Sequence, residues 1–141
     1  MDRDELIERL NLKPLEGEGG LWSEIYRDEN GSAIYFMVVS PDFSAWHRLT
    51  QPELWIHIAG DPIEIFTLND GFLSQNIVGN SSHQKHFRVP PNTWMAARSA
   101  NSWSLVVCSL APAFAGMELA SRNQLLTAHP YVTNLPNLFH E

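Results

Sequence analysis

The sequence predicts an all-β fold, a barrel or sandwich of short strands with one short helix near each end. Three observations support this. Between residues 20 and 112, runs rich in β-branched and aromatic residues alternate with polar ones. Asn-Gly, Asp-Gly and proline turns interrupt them at roughly ten-residue intervals, the rhythm of sandwiches and barrels. Helical spacing of apolar residues is confined to residues 3–11 and 117–127.

In residues 3–11, Leu6, Ile7 and Leu10 share a helical face, Asp2 or Asp4 supplies a cap, and Lys13-Pro14 ends the run. Glu16-Gly17-Glu18-Gly19-Gly20 reads as flexible backbone. It is not a phosphate cradle, because no strand precedes it, no Lys-Ser/Thr follows it, and it carries two carboxylates. Leu21–Arg27 alternates, and the turn Asp28-Glu29-Asn30-Gly31 follows, its Asn-Gly pair favouring a tight hairpin. Strands are then expected over 33–39, 45–49, 53–59, 63–68, 72–78, 87–89, 93–97 and 102–110. Their breaks are Ser40-Pro41-Asp42, Gln51-Pro52, Gly60-Asp61-Pro62, Asn69-Asp70-Gly71 and Pro90-Pro91-Asn92. The polar stretch 79–85 reads as an exposed loop, and His83 and His86 as solvated residues. Leu119, Arg122, Leu125 and Leu126 place a helix near the C-terminal end.

The bulk properties bound the function. A chain of 141 residues fits one domain, 1–141, able to bury about two-thirds of its unfolded surface. Apolar content of 44% and aromatic content of 11% speak against global disorder. Nine basic against 16 acidic residues, a net charge of −7, speak against nucleic-acid or anionic-membrane partners. Cys108 is the single cysteine, so a disulfide framework is not expected, and its apolar neighbours suit a buried small hydrophobe. The charged start, Asp2 to Glu5, does not read as a signal peptide or a membrane span, and a cytoplasmic setting is expected.

The chemistry concentrates in residues 43–62. On a strand from Glu53, alternate side chains share a face. Glu53, Trp55 and His57 therefore line one side and Leu54, Ile56 and Ile58 the other. His47 stands just before the Gln51-Pro52 turn and Glu53 just after it. A carboxylate beside an imidazole fixes its tautomer and suits acid–base work. Parity likewise groups Trp22, Glu24 and Tyr26 on one face, and separates Met95 and Ala97 from Trp94, Ala96 and Arg98. Arg48 alternates away from His47, and both arginines read as exterior salt-bridge partners.

These residues resemble the cupin superfamily. Its first motif has a His, a second His two residues on, a Glu after a short turn and a Gly seven residues later. His47, Glu53 and Gly60 fall on those positions, with Leu49 in place of the second His. In its second motif Pro90 matches, Asn92 replaces a Gly and Met95 replaces a His. Glu18-Gly19-Gly20, Glu24 to Arg27, Ala33 to Phe36, Phe43 to Arg48, Glu53 to His57, Ala59 to Pro62 and Trp94 to Arg98 extend the likeness to small single-domain cupins without an assigned activity. The resemblance implies a double-stranded β-helix (a jelly-roll barrel), a small open-ended pocket and a homodimer.

Many cupins hold a transition metal with three His and one carboxylate. Here only His47 and Glu53 match, Leu49 cannot ligate, and a Met95 thioether is a poor ligand for Mn or Fe(II). His57 is no ready substitute, because four strand residues separate it from Glu53 by roughly 13 Å. The expectation is therefore no cofactor, with a divalent transition metal on His47 and Glu53 as the alternative. The expected function is small-molecule binding in a pocket lined by His47, Glu53, His57, Trp55, Met95, Glu24 and Tyr26. The alternative is a metal-independent isomerase or epimerase acting on a sugar or keto acid. There the resemblance to cupin-fold epimerases implies proton abstraction by His47, with Glu53 beside it, and proton return by a tyrosine, Tyr35 or Tyr26.

Overall fold

The computed structural model describes residues 1–80 and 82–141; Ser81, in the polar stretch read as a loop, lies outside the described residues. The elements are α1 (Arg3–Arg9), β1 (Lys13–Pro14), β2 (Leu21–Arg27), β3 (Ser32–Val39), β4 (Ser44–Arg48), β5 (Glu53–Gly60), β6 (Ile63–Asn69), β7 (Phe72–Val78), β8 (His86–Val89), β9 (Trp94–Ser99), β10 (Trp103–Leu110), β11 (Glu118–Leu119) and α2 (Arg122–Ala128). They form two antiparallel sheets, ordered β1-β2-β3-β10-β5-β8 and β11-β4-β9-β6-β7, packed as a jelly-roll barrel.

Alternation sorts the apolar residues into three clusters. Inside the barrel, Phe36, Val38, Trp55, Ile63, Ile65, Val106 and Met95 interdigitate between the sheets. On the outer face of the second sheet, Trp46, Phe66, Leu68 and Trp94 pack under α2 and the C-terminal segment through Leu125 and Leu138. On the outer face of the first sheet, Met37 and Leu105 are covered by Leu6, Ile7 and Leu10 of α1. Asp2 caps α1 by accepting a hydrogen bond from the Glu5 amide at 2.9 Å.

The C-terminal helix differs from expectation. Residues 117–120 do not begin it; Glu118 and Leu119 instead pair as β11 with Arg48 and His47. The helix starts after Ser121, which forms a capping box with Gln124. That reciprocal cap satisfies two otherwise orphaned amides and sets the start more firmly than apolar spacing does.

Three bulges re-aim side chains and matter for the site. In β2, Glu24 pairs with Ile34 and Tyr26 with Ala33, leaving Ile25 extra. In β4, Ser44 pairs with Ala97 and His47 with Met95, one residue more than on β9. In β5, Ile58 is extra between His57 and Ala59. An inserted residue shifts the inside–outside alternation beyond it by one.

Candidate functional site

A cavity of about 200 Å³ opens at one end of the barrel. Its walls are mostly apolar, with Trp22, Phe36, Trp55 and Phe114 as the aromatic surfaces and Leu15 and Leu49 among the aliphatic ones. Two buried carboxyl groups and an imidazole reach into it: Glu18, Glu53 and His47. Glu24 and Arg27, both exposed, stand at its mouth.

Glu18 arrives from the glycine loop before β2. Gly19 and Gly20 adopt positive φ, +94° and +79°, a region open to glycine and strained for other residues. A Cβ on Gly19 would collide with the Phe43 carbonyl oxygen, and one on Gly20 would lie 2.6 Å from the Phe36 ring. The loop therefore lies flush against the barrel. The Ala45 amide donates to the Glu18 carbonyl at 2.8 Å, and the Gly20 amide to Asp42 Oδ2 at 2.9 Å.

The β4 bulge then completes the cluster. Ser44 and His47 are three residues apart and would face opposite ways on a regular strand. With one residue extra between them, both turn inward. Ser44 Oγ donates to Glu18 Oε2 at 2.6 Å, and His47 Nε2 lies 3.7 Å from Glu18 Oε1. His47 Nδ1 lies 2.7 Å from the Ala45 carbonyl oxygen. A carbonyl can only accept, so Nδ1 carries hydrogen and Nε2 is the nitrogen directed at the carboxylates.

Glu53 opens β5 after the Gln51-Pro52 turn. Burial, and secondly the negative charge of Glu18, push its carboxyl up to about 8, while the Trp55 indole N–H works in the opposite sense. Yet Glu53 Oε1 and Trp55 Nε1, both buried, have no hydrogen-bond partner of acceptable geometry among the described residues. An unpaired buried polar atom ordinarily costs about 1–3 kcal/mol. Cys108, also in the wall, is buried, and its thiol is pushed well above the ordinary range by burial, then by Glu53 and Glu18.

The structure brings His47, Glu53, Trp55 and Glu24 together as the sequence suggested. Four other expected pocket residues are placed elsewhere. His57 sits at the far end of the inward face of β5, its ring near Gly79 and its Nε2 donating to the Asp61 carbonyl at 2.9 Å. Met95 faces inward but is packed in the core rather than in the cavity wall. Tyr35 points outward from β3 into the cluster under α1, because Ile34 and Phe36 take the inward positions. Tyr26 is turned out by the Ile25 bulge and is 48% exposed; the same bulge brings Arg27 to the cavity. Arg48 and Arg98 are exterior, pairing with Glu118 and Glu64 and lying over Trp94 and Phe66.

Sequence reasoning missed Glu18 and Arg27. The signal for Glu18 was a carboxylate directly before two glycines. Nothing in the β2 sequence marked the bulge that selects Arg27.

The family described as Cupin superfamily (DUF985) matches residues 4–120. The chain belongs to the cupin superfamily. Among solved structures, this cupin is similar to a protein from Shewanella oneidensis, with 29% identity, a TM-score of 0.85, and 92% of this chain and 91% of the other covered. It is similar to a hypothetical protein from Leishmania major, with 25% identity, a TM-score of 0.84, and 92% and 93% covered. A cupin-2 domain from Rhodospirillum rubrum shares the fold at 13% identity and a TM-score of 0.66, with 82% and 78% covered. No curated protein matches the chain.

Cupins often carry metals, and the residues here do not fit one. Leu49 in the cavity wall and Met95 in the core occupy two positions where metal-binding members have His. Among the described residues, no three His, Cys, Asp or Glu side chains are grouped to hold a metal ion. One oxygen of Glu18 is already held by Ser44. What the cluster can do without a metal is bind polar groups and exchange protons.

Proposed function

We propose that this cupin binds a small molecule in the cavity bounded by Glu18, His47, Glu53 and the aromatic walls. One observation carries the reading: Glu53 Oε1 and Trp55 Nε1 are buried beside a cavity with no hydrogen-bond partner of acceptable geometry among the described residues. A fold seldom leaves an acceptor and a donor unmade together unless something else completes them. The mostly apolar lining with a few convergent polar groups supports the same reading.

A panel of small metabolites tested by thermal shift checks this. A ligand at one hundred times its Kd adds about 2.7 kcal/mol to stability. Leu49→Phe, which fills part of the hollow, and Glu53→Gln should each remove the shift. A ligand whose shift survives both substitutions binds elsewhere, and the proposal fails.

A second reading is favoured by the pairing of two groups of opposite capability. His47 Nε2 is available as a base, and Glu53, with its carboxyl raised to about 8, retains a proton at neutral pH. Groups separated in this way suit a metal-independent isomerase or epimerase, one abstracting a proton and the other returning it. With Tyr35 and Tyr26 turned away from the cavity, Glu53 takes the acid role. Turnover of the bound compound, lost in His47→Gln, distinguishes this enzyme from a binder.

A further inference from the structure

Resting on the reading of this cavity as a ligand site, we infer that its ligand is a small organic cation: a protonated amine on an apolar, ring-sized body, held by Glu53 with Glu18 beside it. The cavity holds two buried carboxyl groups and no Lys or Arg paired with either among the described residues. His47 Nε2 lies 3.7 Å from Glu18 Oε1, an ion pair only when the ring is protonated. Glu53 Oε1, on a residue only 7% exposed, has no hydrogen-bond partner of acceptable geometry among the described residues. The neighbouring donor, the Trp55 indole N–H, favours the carboxylate form of Glu53. A carboxylate there, next to Glu18, has no paired Lys or Arg among the described residues, and Arg27 stands exposed at the mouth.

The walls suit the same occupant. Trp22, Phe36, Trp55 and Phe114 line the same cavity as the carboxyl groups, and aromatic faces attract cations, most strongly where water is excluded. Phe36 and Trp55 meet edge to face, with ring centroids 5.9 Å apart. The cavity, about 200 Å³, is somewhat larger than one of about 150 Å³ that accepts benzene. One ring with a short amine arm fits that space. The titratable or charged groups facing Glu53 are Glu18 from the glycine loop, His47 from β4, Cys108 from β10, and Glu24 and Arg27 at the mouth. Arg27 has no acidic partner among the described residues, so a carboxylate ligand is the rival chemistry.

Calorimetry with benzylamine, benzyl alcohol and benzoate separates the possibilities. Near pH 8, benzylamine should bind at least about tenfold more tightly than benzyl alcohol, as one buried charge-assisted contact supplies. Near pH 7 its binding should release about one proton, read from heats in buffers of different ionisation enthalpy, because an ammonium group expels the proton on Glu53. That proton count uses the unaltered protein and stands whether or not a variant folds. Glu53→Gln should erase both the amine preference and the proton release. Equal or tighter binding of benzyl alcohol or benzoate overturns the amine inference and leaves the ligand site standing. Absence of binding by all three overturns both.

Discussion

Glu53→Gln should flatten the pH dependence of this protein's stability. In the fold, burial first and the Glu18 carboxylate second raise the Glu53 carboxyl from 4.5 to about 8. Between those values the folded chain keeps a proton that the unfolded chain has released. The contribution of this group is therefore fully present below pH 4.5 and is lost as pH climbs through the folded value, where stability falls with pH. At about 1.4 kcal/mol per pH unit, the complete loss is on the order of 5 kcal/mol, of which about 3 has occurred by neutrality. That is a large part of a domain's typical margin of about 5–15 kcal/mol. Glutamine keeps the shape and cannot ionise. The two proteins should be of similar stability near pH 5, and the variant should lead by several kcal/mol near pH 9, on the scale of about 1.4 kcal/mol per unit. Urea unfolding followed by the fluorescence of the five tryptophans gives both curves, and their difference isolates the carboxyl because the remaining groups titrate in both. A difference that stays constant with pH would refute the burial of Glu53 beside another carboxylate.

Gly19→Ala should cost more than about 1 kcal/mol, since φ is +94° and the added Cβ meets the Phe43 carbonyl. It should also withdraw Glu18 and weaken any cavity ligand. Wild-type stability and affinity in this variant would contradict the role given to the glycine loop. Cys108 should react with a thiol reagent near pH 8 far more slowly than a free cysteine, because it is buried and its thiolate is disfavoured. Denaturant should restore ordinary reactivity; fast labelling of the native protein would contradict the burial of this thiol.

Much of the fold was legible because its physics is local. Period-two alternation and turn residues set nearly every strand, and Asp2 fixed the first helix. The shared face of Glu53 and Trp55 followed from the same alternation, and His47 from the turn beside it and the cupin motif. The remainder depended on features without a local signature. Bulges at Ile25 and between Ser44 and His47 change parity, and neither segment carries a glycine or proline to announce it. Counting by twos therefore put Tyr26 in the pocket instead of Arg27. Tyr35 was misplaced by an assumption about role, although strict alternation against Phe36 already excluded it. Glu18 was hidden in a stretch with no periodicity, where only tertiary contact shows that the glycines serve close packing rather than slack. His57 does share the face of Glu53, but distance along the strand carries it past the cavity.

The extra residue in β2 makes the mouth of this barrel unusually cheap to rewrite. Were the extra residue moved out of β2 into the Asp28–Gly31 turn, Ile25 would pair with Ala33 and Tyr26 with Ser32, which exchanges a guanidinium for a phenol at the entrance with every amino acid unchanged. Two barrels of one sequence length would then differ in what they admit by a single register step, and an alignment of residues alone would hide the switch.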